Sequence, residues 1–161
     1  MKVSDMMAQA FQAEGCEVLF TLMGDANIYW SEAMSRLPGM QVVHARHEHC
    51  AVAMADGYAR ATGKVGVAST TCGPGFTQIM TALTIAARAH VPIVVFAGDS
   101  PIASPWYIQQ IDMGPLTLGT GAHYIPVRSI DRVLDGIREA FHIAALEMRP
   151  VVLSVPMDIQ K

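Results

Sequence analysis

Residues 65–97 read VGVASTTCGPGFTQIMTALTIAARAHVPIVVFA. The stretch opens on a short apolar run, Val65 to Thr70, and closes on another, Val91 to Ala97, with a helical segment from Gly75 to His90 between them. Neither run alternates apolar with polar residues. A strand with one wet face alternates; a strand covered on both faces does not. Two such strands joined by a helix form a β-α-β unit, and a right-handed crossover lays them parallel.

The same grammar extends outward. Upstream lie a helix from Ser4, its N-cap, to Glu14, stopped by Gly15; a strand over 17–22 (EVLFTL); a helix over 27–36, ended by Pro38-Gly39; a strand over 41–44 (QVVH); and an Ala-rich helix from His47 to Thr62 closed by Gly63. Downstream, residues 99–122 hold Pro, Gly, Ser and Thr without a period and read as a long irregular loop. A short strand over 125–127, an amphipathic helix over 131–148 and a strand over 151–155 (VVLSV) follow. The pattern predicts an α/β fold, a doubly wound, mostly parallel sheet with helices on both faces, in a single domain over residues 1–161.

Composition narrows the function. The chain is 52% hydrophobic and only 16% charged, with eleven methionines among 161 residues. That is more apolar surface than one small domain hides alone, so another chain or domain is expected to cover part of it. A net charge of −3 without a basic run argues against nucleic acid. No apolar run reaches the ~18 residues of a membrane span. Cys16, Cys50 and Cys72 form no CxxC pair and read as reduced thiols of a cytoplasmic protein.

In a parallel sheet, ligands gather outside the carboxyl ends of the strands. Unusual residues stand after three of them: Met23-Gly24-Asp25-Ala26-Asn27, His44-Ala45-Arg46-His47-Glu48-His49-Cys50, and Thr71-Cys72-Gly73-Pro74-Gly75. Glu48 opens an otherwise apolar helix. It is either an ordinary first-turn carboxylate favoured by the helix dipole or a partly buried acid with a tuned pKa. Asp25 and Asn27 are either helix caps or site residues. The histidines and Cys50 match no zinc spacing, so no metal is assigned to the chain. The Gly73-Pro74-Gly75 turn lacks the spacing of a phosphate loop and indicates only close backbone approach.

Together these segments resemble a family. The run RHEHCAVAMADGYARATGKVGVASTTCGPGFTQIMTAL, with RPVVLSVPMDIQ near the C-terminus, is similar to the N-terminal region of thiamine-diphosphate enzymes of the acetolactate synthase and pyruvate decarboxylase group. The resemblance implies a pyrimidine-binding domain. A second domain, whose GDG motif with its following pair of Asn is absent from this chain, would hold the diphosphate through Mg²⁺. The site would lie between the two, usually across a dimer interface, so a homodimer or larger assembly is expected. By position, Glu48 is the family's cofactor-activating glutamate. It hydrogen-bonds N1′ of the aminopyrimidine and promotes its imino tautomer, so that the exocyclic nitrogen can take the thiazolium C2 proton. Gly24, Thr71, Gly73, Pro74 and Gly75 are expected to line the cofactor.

The resemblance is mixed in detail. Gly24-Asp25-Ala26-Asn27 is similar to the decarboxylase type, in which the Asp takes part in proton handling, yet the tandem His of those enzymes is missing. Ile108-Gln109-Gln110-Ile111-Asp112 is similar to the F-Q-E-[VI]-D segment of the synthases, which makes Gln109 a catalytic candidate. The expected activity is cleavage next to a carbonyl of a 2-oxo acid, followed by carboligation or by release of the decarboxylated product. The alternatives are a non-catalytic assembly or regulatory paralogue, and a nucleotide-binding domain whose phosphate loop is not found.

Overall fold

The computed structural model describes residues 2–161. Its strands are β1 (Val18–Thr21), β2 (Gln41–His44), β3 (Gly66–Thr70), β4 (Ile93–Asp99), β5 (His123–Pro126) and β6 (Val151–Pro156). All pair in parallel, in the order β2-β1-β3-β4-β6-β5. The apolar runs follow from this placement. Along β4, Ile93, Val95 and Ala97 enter one core while Val94 and Phe96 enter the other, so every position is buried.

Right-handed crossovers distribute the helices by the direction in which the chain moves across the sheet. On one face lie α1 (Val3–Ala13), α2 (Ile28–Ser35) and α7 (Val133–Glu147). On the other lie α3 (Glu48–Thr62), α4 (Pro74–Thr77), α5 (Met80–Arg88) and α6 (Met113–Thr120). The first face is knitted by aromatic rings. Trp30 stacks on Phe96 at 4.2 Å, and Phe11 meets Trp30 at 4.6 Å and Phe141 edge-on at 5.4 Å.

The expected doubly wound α/β fold is therefore present, with corrections. Residues 99–122 are not wholly irregular, because they contain α6. Gly114, Pro115 and Gly119 hide this helix from a propensity reading. Its ends are nonetheless marked: the Asp112 carboxylate accepts from the Gly114 amide, and Gly121 takes the left-handed conformation that closes it. Ser4 is not the N-cap of α1. Lys2 occupies that position, and Ser4 turns inward with Met7, Ala8 and Phe11 because burial of that face sets the helix start. The helix expected over 75–90 is two helices, with the Ile79 amide bonding Phe76 O in a tighter turn between them. The helix expected from Asp131 opens as a 3₁₀ turn, Ile130–Arg132, before α7.

Candidate functional site

From β1 the chain leaves toward β2, and from β3 it leaves toward β4. The connections diverge above the β1–β3 pair, which opens a crevice at their carboxyl ends. The turn after β1, the turn after β3 and the first residue of α3 all border it.

Glu48 begins α3. Its cap is His47, whose ring Nδ1 accepts from the His49 amide at 3.1 Å, so the histidine pair serves the helix start. The half-buried Glu48 side chain reaches the turn after β3. A Cβ built on Gly75 would lie 3.1 Å from Glu48 Oε1, 2.6 Å from Thr71 Cγ2 and 3.3 Å from Thr70 Oγ1. Only glycine lets the Thr71 methyl and the Glu48 carboxylate pack this close to the turn. Among the described residues, no hydrogen bond reaches the Glu48 carboxylate.

Thr71 connects this spot to the turn after β1. Its Oγ1 accepts from the Ala26 amide at 3.1 Å, and a Cβ on Gly24 would stand 2.8 Å from Thr71 Cβ. Asp25 projects from the tip of that turn into solvent and accepts from the Tyr107 hydroxyl at 3.3 Å. Partial burial, then the Asp25 charge, raise the Tyr107 phenol above its ordinary pKa. Tyr107 belongs to the segment between β4 and α6, and Gln109 of that segment lies against the turn after β3. A Cβ on Gly73 would stand 2.6 Å from Gln109 O, and the φ of +61° at Gly73 also requires glycine. The Cys72 thiol, pushed up chiefly by burial, donates to Gln109 Oε1 at 3.6 Å. Pro74, exposed, is the first residue of α4.

The structure thus brings Glu48, Gly24, Asp25, Thr71, Gly73, Pro74, Gly75 and Gln109 to one end of the sheet. His44 ends β2 at the same end of the sheet, but it lines a separate hollow of about 200 Å³ beside Met23 and Ile28. Sequence reasoning missed Tyr107, whose one signal was an aromatic residue two positions before Gln109. It also missed Thr70, and it left Asn27 undecided. Asn27 is fully buried, accepting from the Gly24 amide at 2.7 Å and donating to Ser69 Oγ at 2.8 Å.

Next to the crevice, a hollow of about 670 Å³ opens between the segment after β4 and Arg128. At its floor Asp99 is saturated: it accepts from Arg128 Nη1 at 2.8 Å, Ser154 Oγ at 3.0 Å and the Ser100 amide at 2.7 Å. The acid of this hollow is fully engaged, whereas Glu48 accepts no hydrogen bond among the described residues. The chemistry therefore points to the crevice. Beyond it, Trp106 and Ile108 are 93% and 94% exposed.

Residues 1–113 match the family described as thiamine pyrophosphate enzyme, N-terminal TPP binding domain. The chain belongs to this family. Relatives of this thiamine pyrophosphate enzyme domain include the acetolactate synthase large subunit of Haemophilus influenzae, 34% identical over 96% of this chain and 28% of that one. The acetolactate synthase isozyme 3 large subunit of Escherichia coli is 33% identical over 97% of this chain and 28% of that one. Among solved structures, the thiamine diphosphate-dependent 4-hydroxybenzoylformate decarboxylase of Rhodococcus jostii RHA1 superposes with a TM-score of 0.91 at 26% identity. That match covers 99% of this chain and 31% of the other. The chain spans less than a third of the length of these relatives. The family resemblance and the fold expected from sequence are both borne out. Among the described residues, no helix is long and apolar enough to cross a membrane.

Proposed function

We propose that this domain binds the aminopyrimidine of thiamine diphosphate in the β1–β3 crevice and activates it through Glu48, within an enzyme that acts on a 2-oxo acid. The observation that carries the reading is the Glu48 carboxylate, which lies against Gly75 and accepts no hydrogen bond among the described residues.

Bound there, thiamine diphosphate supplies a carbon nucleophile for the 2-oxo group and an electron sink for the C–C bond that breaks. Glu48 holds a proton at the pyrimidine ring nitrogen. Gly73, Pro74 and Gly75 let the ring lie close to the backbone, with Thr71 and Gly24 forming the wall between Glu48 and the Asp25 turn. Asp25, paired with Tyr107, stands where a proton of the substrate can be handled, and Gln109 presents an amide beside the turn. Mg²⁺ and the diphosphate would be held by a second domain or subunit. The exposed Trp106 and Ile108, next to Gln109, suit a surface that such a partner covers, in a homodimer or larger assembly. We place the enzyme in the cytoplasm, in keeping with three free cysteines. The named relatives point to two outcomes for the substrate, carboligation and simple decarboxylation.

The test is made on the complete protein with thiamine diphosphate and Mg²⁺. Exchange of the C2 proton is followed by NMR, and 2-oxo acids are then supplied while carbon dioxide and products are identified. Accelerated exchange that depends on Glu48 supports the reading. Binding without any acceleration would instead make the chain a non-catalytic relative.

A further inference from the structure

The segment after β6 meets both loops of the candidate site. The Met157 amide donates to Asp99 O at 3.0 Å, which returns the chain over the end of β4. Asp158 Oδ2 then accepts from the Ala103 amide at 3.1 Å, in the segment that carries Tyr107 and Gln109. Gln160, fully buried, donates from Nε2 to Ala26 O at 2.7 Å and to Val155 O at 3.0 Å. Ala26 follows Asp25 in the turn after β1. That turn also rests directly on β4, because a Cβ on Gly98 would collide with the Ala26 carbonyl. Since Tyr107 donates to Asp25, the contacts close a ring: the Asp25 turn, the Tyr107 segment, Ala103, Asp158, Gln160 and back to Ala26.

We infer that Asp158 and Gln160 are positioning residues: the 157–161 segment is a strap that fixes the Asp25 turn and the Tyr107–Gln109 segment relative to each other. For the reaction, this rests on the function proposed above. Anchoring this segment does not require the amide of Gln160. Ile159 is 7% exposed and packs into the first core, which holds the segment by burial. Gln160 Oε1 has no partner among the described residues, so the polar contribution of this side chain rests on its two donated bonds. What the amide adds is direction: one donor aimed at one carbonyl of the site turn, 134 residues away in sequence.

The experiment uses the complete protein, with any partner subunit present, and the variants Gln160→Met, Asp158→Ala and Asp158→Asn. Segment-resolved amide hydrogen exchange is measured together with steady-state turnover. In Gln160→Met, amides of residues 22–27 are expected to exchange about five- to tenfold faster, the size of one lost hydrogen bond, while β3 and β4 are unchanged. Asp158→Ala is expected to do the same for residues 101–107, and Asp158→Asn, which keeps an acceptor oxygen, to restore slow exchange. Turnover is expected to fall with the loosened segment while the cofactor dissociation constant stays within about twofold. Unchanged exchange at 22–27, or a rise spread equally over β3 and β4, would overturn the inference. So would unaltered turnover in a variant whose 22–27 amides exchange faster. If Gln160→Met does not fold, Gln160→Asn, which keeps the amide but withdraws it by one methylene, is read against the same criteria. A wild-type protein without thiamine diphosphate-dependent turnover would remove the proposed function, whereas the exchange pattern would still decide whether the strap exists.

Discussion

Two acids stand at the carboxyl end of the same sheet under opposite conditions. Asp99 is 6% exposed and accepts from Arg128, Ser154 and Ser100. Glu48 is half-buried, rests against a glycine, and accepts no hydrogen bond among the described residues. Asp99 ties the end of β4 to Ser154 of β6 and to Arg128, two residues beyond β5, and has no acceptor left for a ligand. Glu48 keeps its acceptors free of hydrogen bonds among the described residues. A saturated carboxylate holds structure together, and an unsaturated one beside open backbone awaits a partner.

The sharpest break of this comparison is Glu48→Gln. It is expected to slow C2 proton exchange of bound thiamine diphosphate by at least about 10²-fold in the assembled protein, with the thermal midpoint moving by less than about 2 °C. NMR exchange and a melting curve report the two. A variant that exchanges at the parental rate would demote Glu48 to a helix charge.

Asp99→Ala should behave in reverse. It leaves Arg128 and Ser154 without their acceptor and is expected to cost about 2–3 kcal/mol in urea unfolding. The Arg128 side chain is 53% exposed and rehydrates, which keeps the cost below that of a fully buried pair. C2 exchange per folded molecule should stay within about twofold. A collapse of exchange in a folded Asp99→Ala protein would merge the two regions into one site.

Gly75→Ala tests the close packing of this turn against Glu48. The added methyl meets Thr71 Cγ2 at 2.6 Å and Glu48 Oε1 at 3.1 Å, and overpacking of this kind costs about 1–3 kcal/mol. Cofactor affinity, measured by calorimetry, is expected to fall with it; unaltered affinity would move the ring away from Gly75. Tyr107→Phe should have the smallest effect, below about 1 kcal/mol in stability and below about fivefold in turnover, because its partner Asp25 is solvated. A larger loss of turnover would mean that the phenol itself handles a proton.

The fold was legible because doubly buried strands such as β4 admit no polar position, and because Gly63 and Gly15 punctuate the helices. Much of the candidate site was legible through Glu48, the one acid opening an apolar helix, and through the Gly73–Gly75 turn, where close packing and the positive φ of Gly73 demand glycine. Tyr107 and Gln160 were not. Each contributes a single long-range hydrogen bond, over 82 and 134 residues, and leaves no local period to read. The helix α6 was lost for a related reason: Gly114, Pro115 and Gly119 are tolerated there because the Asp112 and Gly121 caps and the burial of Met113 and Thr117 hold the helix. Tertiary packing overrode propensity.

The chain's two tryptophans divide the molecule optically. Trp30 is stacked on Phe96 and sealed from solvent, whereas Trp106 is 93% exposed. A water-soluble collisional quencher will therefore extinguish one emission and spare the other. Because Trp106 stands three positions from Gln109, any partner or ligand that covers the site segment should shield it. The domain thus carries its own fluorescent gauge of occupancy, calibrated by an internal reference that does not change.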